Sequence, residues 1–211
     1  MRRSNRLPTC WGVEMRVLLV GFGPFPGAPF NPSAVLVKML ARRRRPAFAN
    51  IGRTTHVFAT TYASVDRELP KLFAEEPDIV LMFGLAGRRR HLGIETHARN
   101  AVSVLHPDAA GHRPTRIVIA AVGPATLRGD ARFADLLGAV RARGFPAGLS
   151  RDAGRYLCNY AYWQALERAR SGRPLVQFVH IPPVRPGRPQ FGRLVAAAEA
   201  LLIALMAASR R

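Results

Sequence analysis

Short apolar runs alternate with amphipathic segments along most of this chain, and that alternation limits its fold more than any other feature. The run "RVLLVGF" (16–22) is continuously apolar, the pattern of a strand buried on both faces. It is followed by "NPSAVLVKMLARR" (31–43), an amphipathic helix with Asn31 placed to cap it and Pro32 in its first turn. The same reading gives a strand at "RTTHVFATT" (53–61) and a helix at "SVDRELPKLFAEE" (64–76), kinked or restarted at Pro70. "DIVLMFGLA" (78–86) is the most apolar strand, and "TRIVIAAV" (115–122) reads as a further one, followed by a helix near 131–143. A long helix over 153–171, a strand over 175–182 and a closing helix over 190–210 complete the pattern. Strands alternating with helices predict an α/β fold, a three-layer α/β/α sandwich around a largely parallel, mixed sheet. A chain of 211 residues is one domain of ordinary size. That domain is expected to span 15–211, from the second methionine, Met15. Residues 1–14, without periodicity, read as a flexible tail or a misassigned start. In folds of this class, ligands bind beyond the carboxyl ends of the strands.

A formal charge of +19 raises the question of nucleic acid. The cations are almost all arginines, Lys38 and Lys71 being the lysines, and they are scattered apart from "RRRR" at 42–45 and "RRR" at 88–90. No aromatic-and-basic stacking pattern, zinc spacing or recognition helix accompanies them, so no specific nucleic-acid partner is expected, only weak adhesion to polyanions at low salt. The longest apolar stretch, "LVAAAEALLIALMAA", is Ala-rich and interrupted by Glu199, which suits a packed helix rather than a membrane span. With no signal-peptide pattern at the start, a cytoplasmic chain without a membrane partner is expected. A reducing compartment would keep Cys10 and Cys158 as thiols.

The unusual residues fall where such a fold puts its rim. Cys158, in "SRDAGRYLCN" (150–159), lies about one turn into its expected helix, with Gly154 permitting a tight entry and Asp152 or Ser150 available to cap. A thiol there feels the helix dipole, which favours thiolate, and its own N–H can serve an oxyanion hole. The alternative is a small buried hydrophobe. His180 ends a strand that "IPP" stops abruptly, the place for a general base, or simply for a strand-end histidine held by a hydrogen bond. Glu95 stands in "GLAGRRRHLGIETHARN" (84–100), where it can orient an imidazole or pair with Arg88, Arg89, Arg90 or Arg99. "GFGPFPGAPFNPS" (21–33) has neither dinucleotide glycine spacing nor the lysine and serine of a P-loop. Its phenylalanines around Gly-Pro suit a small flat apolar ligand, or mere aromatic packing. No His, Cys, Asp and Glu spacing suggests a metal site.

Taken together and in order, these four segments resemble the pyroglutamyl peptidase I family, cysteine peptidase family C15, from Met15 to near the end of the chain. The resemblance implies an omega peptidase that hydrolyses the bond after an N-terminal pyroglutamyl residue through a thioester. It implies Cys158 as nucleophile, His180 as base and Glu95 as orienter. Phe22 and Phe25 would sandwich the pyrrolidone ring, with Asn31, Leu85, Tyr156 and Leu157 at further pocket positions. It implies no metal or cofactor, small pyroglutamyl peptides as substrates, and a homo-oligomer, dimer or tetramer. There are departures: Leu85 stands where many members have glutamine, Arg88 where a glycine precedes the signature arginine, here Arg89, and Thr96 where an arginine follows the glutamate. Leu105 lies near an expected arginine that helps polarise the carbonyl. These departures leave open a divergent relative acting on another small N-acyl or cyclic amide. A nucleoside-handling enzyme and a basic nucleic-acid module are the remaining alternatives.

Overall fold

The computed structural model describes residues 15–169 and 172–210. The expected tail over 1–14, with Cys10, lies outside the described residues. The elements run β1 (Met15–Phe22), α1 (Pro32–Arg42), β2 (Ile51–Phe58), α2 (Tyr62–Ala74), β3 (Ile79–Leu85), β4 (Leu92–Glu95), β5 (His97–Arg99), β6 (Thr126–Arg128), α3 (Phe133–Arg141), β7 (Ala147–Ser150), α4 (Leu157–Arg168), β8 (Leu175–Ile181) and α5 (Pro189–Ser209). Six strands form one sheet in the order β2-β1-β3-β8-β4-β7, and β5 and β6 pair as a separate two-stranded ribbon. Within the large sheet only the β4–β8 pairing is antiparallel.

The apolar runs became central strands because both of their faces are covered. In β1, Val17 and Leu19 face a core shared with α1, α3 and α5, while Leu18, Val20 and Phe22 face one shared with α2 and α4. Those alternating residues, all 2 % exposed or less, make the three-layer sandwich. Helix α5 is long and apolar enough to cross a membrane, yet Leu194, Leu201, Leu202 and Leu205 are wholly buried against the sheet. Its Glu199 pairs with Arg43 at 2.6 Å and Arg45 at 2.7 Å. Burial alone would push that carboxyl up, but the two guanidiniums outweigh it and hold it below its usual value.

Three local expectations are corrected. Residues 115–122 form no strand. Asn100 takes the place of a neighbouring strand: its Oδ1 accepts from Ile119 and Ala120 N–H at 2.9 and 2.8 Å, and its Nδ2 donates to the Ala120 carbonyl. The backbone of this stretch is thus held chiefly by one side-chain amide, with a single backbone bond from Val102 N–H to the Ile117 carbonyl, and not by a ladder. Helix α2 does not restart at Pro70 but runs through it from Tyr62 to Ala74. The helix that carries Cys158 starts at Leu157, not near 153, because Gly154 adopts φ +86°, a left-handed conformation incompatible with helix. Two four-residue strands, β4 and β7, were not anticipated.

Candidate active site

The consequence of that late helix start is chemical. Cys158 is the second residue of α4, and the first intrahelical bond runs from Tyr160 N–H to the Tyr156 carbonyl. The N–H groups of Leu157 and Cys158 therefore precede the ladder, where the dipole is felt most. Neither Ser150 nor Asp152 caps the helix. Tyr156 is the N-cap residue and its side chain makes no capping bond, its Oη donating instead to the Pro107 carbonyl at 2.9 Å, while Asp152 Oδ1 accepts from Gly154 N–H at 3.0 Å.

Strand register decides the rest. On β8, His180 lies opposite Gly84 of β3 on one side and Gly93 of β4 on the other. Neither neighbour has a side chain, and both gaps are used. A Cβ on Gly84 would sit 2.7 Å from Cys158 Sγ and 2.7 Å from the Phe178 ring, so the thiol occupies the place of the missing side chain. A Cβ on Gly93 would overlap Arg89 Nη1. Glu95 pairs with Phe178 and so sits diagonally from His180 on the same face, within reach across the antiparallel pair. His180 Nδ1 donates to Glu95 Oε1 at 2.8 Å, and the ring is also hydrogen-bonded to the Cys158 side chain.

Glu95 is both of the things the sequence allowed. Its Oε1 also accepts from Arg89 Nη1 at 2.7 Å, and Arg89 Nη2 donates to Ser150 Oγ and the Asp152 carbonyl, each at 3.1 Å. The backbone oxygen of Glu95 is held by Tyr162 Oη at 3.1 Å and Gln177 Nε2 at 2.9 Å. The carboxylate is wholly buried, and Arg89 and His180 are the partners that meet it there. Burial alone would lower the basicity of His180. The Cys158 and Glu95 hydrogen bonds and charges overcome that and raise its pKa to about 9. Arg89, Glu95, His180 and Cys158 thus stand in one continuous line.

The line ends in a cavity of about 280 Å³ whose lining includes Phe22, Phe25, Asn31, Leu85, Tyr156 and Leu157 along with Cys158 and His180. Every pocket residue singled out from the sequence borders it. They do not border it alike. Phe22 is buried, its ring 5.8 Å from Phe58 and 6.1 Å from Phe178, and forms a fixed wall. Phe25 is half-buried on a tight turn with Pro26 and Gly27 at its corner, Gly27 at φ +84°, and leans toward Tyr156 at 6.2 Å. Asn31 is the helix cap expected of it, its Oδ1 accepting from Ser33 N–H at 3.1 Å while its Nδ2 donates to the Gly23 carbonyl at 3.2 Å. Its amide therefore holds the aromatic loop in place. Thr60, which also binds the Gly23 carbonyl at 2.9 Å, lines the cavity and was missed. Gly84 and Gly93 were missed as well, although a glycine inside "IVLMFGL" is the usual mark of a close approach. Leu105 does not line this cavity and is 73 % exposed.

Gly84→Ala is expected to displace the thiol from the imidazole. Because the sulfur and a packed phenylalanine ring both crowd the new methyl group, activity should fall about 100-fold, with a smaller loss of stability of about 1–3 kcal/mol. Rates of thiol alkylation with and without the substitution check this; an unchanged rate and full activity would contradict the packing described.

Comparison with known proteins identifies the family and the fold. Residues 15–189 match the sequence pattern of the family described as pyroglutamyl peptidase, Peptidase C15. The pyrrolidone-carboxylate peptidase of Vibrio vulnificus strain CMCP6 is 34% identical over 167 residues, 79% of this chain and 78% of its own. That of Clavibacter michiganensis subsp. michiganensis is 36% identical over 169 residues, with 79% and 78% covered. Among solved structures, a Glu-to-Gln mutant of pyrrolidone carboxyl peptidase from Pyrococcus furiosus superimposes with a TM-score of 0.83 at 25% identity, covering 92% of this chain and 100% of that one. Pyroglutamyl peptidase I of Bacillus amyloliquefaciens gives 0.78 at 27% identity, over 94% and 98%.

Proposed function

The chain belongs to the pyroglutamyl peptidase family, and on that footing we propose that it is a cysteine peptidase that removes pyroglutamate from the N-terminus of small peptides, with Cys158, His180 and Glu95 as its catalytic set. The observation that carries this reading is the buried Glu95–His180–Cys158 line opening on an aromatic-walled hollow of about 280 Å³. The pyrrolidone ring lies between the fixed Phe22 wall and the Phe25 turn, where contact and exclusion of water hold it. A free N-terminal amine is rejected there, since a charged group would be buried without a partner.

In the reaction, the Cys158 thiolate adds to the carbonyl that joins pyroglutamate to the next residue. The carbonyl oxygen gains the negative charge, which the N–H groups at the start of α4 stabilise. The tetrahedral species collapses with cleavage of the C–N bond, and the imidazolium of His180 gives its proton to the departing amine. His180, now neutral, takes a proton from water as the resulting hydroxide adds to the thioester, the C–S bond breaks to restore the thiolate–imidazolium pair, and pyroglutamic acid leaves and gives its carboxyl proton to solvent. Glu95 holds the ring in the tautomer that presents Nε2 to sulfur throughout. A location in the cytoplasm and assembly into a dimer or tetramer form part of the same reading; light scattering measures the latter.

The test is a panel of coumarin amides bearing pyroglutamyl, prolyl, glutamyl and N-acetyl groups. The pyroglutamyl amide is expected to be hydrolysed at least ~100-fold faster than the others, without dependence on phosphate, and to be blocked by iodoacetamide. Turnover of a different acyl group in preference, or survival of activity after alkylation, overturns the reading.

A further inference from the structure

A second hollow lies beside the first and is not used by the pyroglutamyl group. It is a groove of about 660 Å³, with Tyr156 as the wall common to both. Its floor and rim include Leu105, His106, Ile117, Val118 and Arg155. Leu105 is 73 % exposed, Ile117 69 % and Val118 37 %, an unusual concentration of open apolar side chains on a loop.

The loop that carries them is held firmly in place. Val102 N–H donates to the Ile117 carbonyl at 2.9 Å and Ser103 N–H to the Arg155 carbonyl at 2.6 Å. Asn159, one residue beyond the nucleophile, donates to the Arg99 and Ala101 carbonyls at 2.8 and 2.9 Å. Buried Asp108 receives the Tyr62, Ala110 and His112 N–H groups. The apolar surface is therefore displayed by a braced loop, positioned from the same helix start that positions Cys158. No carboxylate is among the residues that line the groove, and Arg155, exposed, is its one fixed charge.

We propose that this groove receives the peptide on the leaving side of the scissile bond and selects for it: an apolar residue directly after pyroglutamate, followed by a carboxylate that meets Arg155. The inference rests on the peptidase reading above and extends it to the substrate class. Two features argue for a peptide occupant. The groove adjoins the reaction cavity across Tyr156, two residues before the nucleophile, where the departing chain must run. Its charge is complementary to a carboxylate, whether an Asp or Glu side chain or the free C-terminus of a short peptide, and the chain's net charge of +19 favours acidic ligands at long range.

The test measures kcat/KM by release of pyroglutamate from pGlu-Gly-Gly-amide, pGlu-Leu-Gly-amide, pGlu-Leu-Glu-amide, pGlu-Leu-Lys-amide and pGlu-Leu-Gly with a free carboxylate, with the pyroglutamyl coumarin amide alongside. Leucine is expected to exceed glycine by roughly tenfold after pyroglutamate. The acidic peptides should exceed the lysine peptide by roughly threefold at low ionic strength, less as salt is added. The two acidic arms separate a side-chain carboxylate from a C-terminal one; a preference for either supports the proposal. Arg155→Glu should invert the acid-over-lysine ratio, and Leu105→Ser with Ile117→Ser should shrink the leucine-over-glycine ratio. Ratios within one variant cancel any general loss of activity. Flat ratios with the coumarin amide still hydrolysed overturn the groove and spare the peptidase; an inert coumarin amide overturns both. Flat ratios together with a change of oligomeric state in the Leu105→Ser, Ile117→Ser variant assign the patch to a second copy of this chain and overturn the proposal.

Discussion

Cys158→Ser should lower kcat/KM on a pyroglutamyl amide by roughly 10⁴-fold while leaving the fold intact. Serine fits the space that Gly84 leaves for the sulfur, so the change is one of chemistry and not of packing. Imidazole can hold a thiolate as a stable ion pair, but an alkoxide lies too high in energy to form beside it in the ground state. The variant has a second signature. His180 is raised to about 9 by Cys158 as well as by Glu95, against a burial effect that lowers it. Removing the sulfur anion should therefore bring the imidazole pKa down, which histidine NMR titration reads directly. Retention of activity, or an unmoved imidazole, would mean that the sulfur and the ring do not act as a pair.

Glu95→Gln should reduce kcat/KM by about 10²–10⁴-fold, the range expected when an orienting carboxylate is replaced by its amide. The amide keeps the volume and a carbonyl acceptor but supplies no charge to the imidazolium or to Arg89. Glu95→Ala should be worse for the fold, costing about 3–5 kcal/mol, because it strips both cations of their buried counter-charge. The pH profile separates orientation from mere stability. In the wild type the proton on His180 is needed by the leaving amine, so activity should fall as pH rises through about 9. In Glu95→Gln that falling limb should move to lower pH, because burial then weighs more against the charged ring. The stability sign follows the same pKa. A folded-state value raised from 6.5 to about 9 contributes stability that is full below 6.5 and lost as pH climbs through 9. In the variant that decline between 6.5 and 9 should shrink in urea titrations, Cys158 alone then raising the ring against its burial. A limb that stays near 9 would show that Glu95 does not govern the ring.

Which elements the sequence revealed, and which it hid, follows from where each segment's hydrogen bonds go. β1, β3 and β8 are apolar on both sides because helices cover both sides, and such runs carry their own signal. α1 announced itself through Asn31 and Pro32, whose local geometry needs no distant partner. The opposite holds for "LGIE" and "AGLS", four residues each with a glycine, which become β4 and β7 only by pairing with one another and, for β4, with β8. "RIVIAAV" carries strong strand propensity, yet its backbone is taken up by Asn100, and Val122 ends 92 % exposed.

The site divides in the same way. Residue types and local position marked Cys158, His180 and the aromatic loop as candidates, while the role of Glu95 as orienter and of the loop as ring pocket came only from the family resemblance. Membership of the pyroglutamyl peptidase family was legible there too. Only the tertiary structure decided that Glu95 serves His180 and Arg89 at once, that Gly84 and Gly93 leave the empty places those partners fill, and that the helix begins late enough to put Cys158 in its first turn. The reason is that register between strands distant in sequence is settled by the summed packing of two cores, and a difference of one residue turns every side chain to the other face.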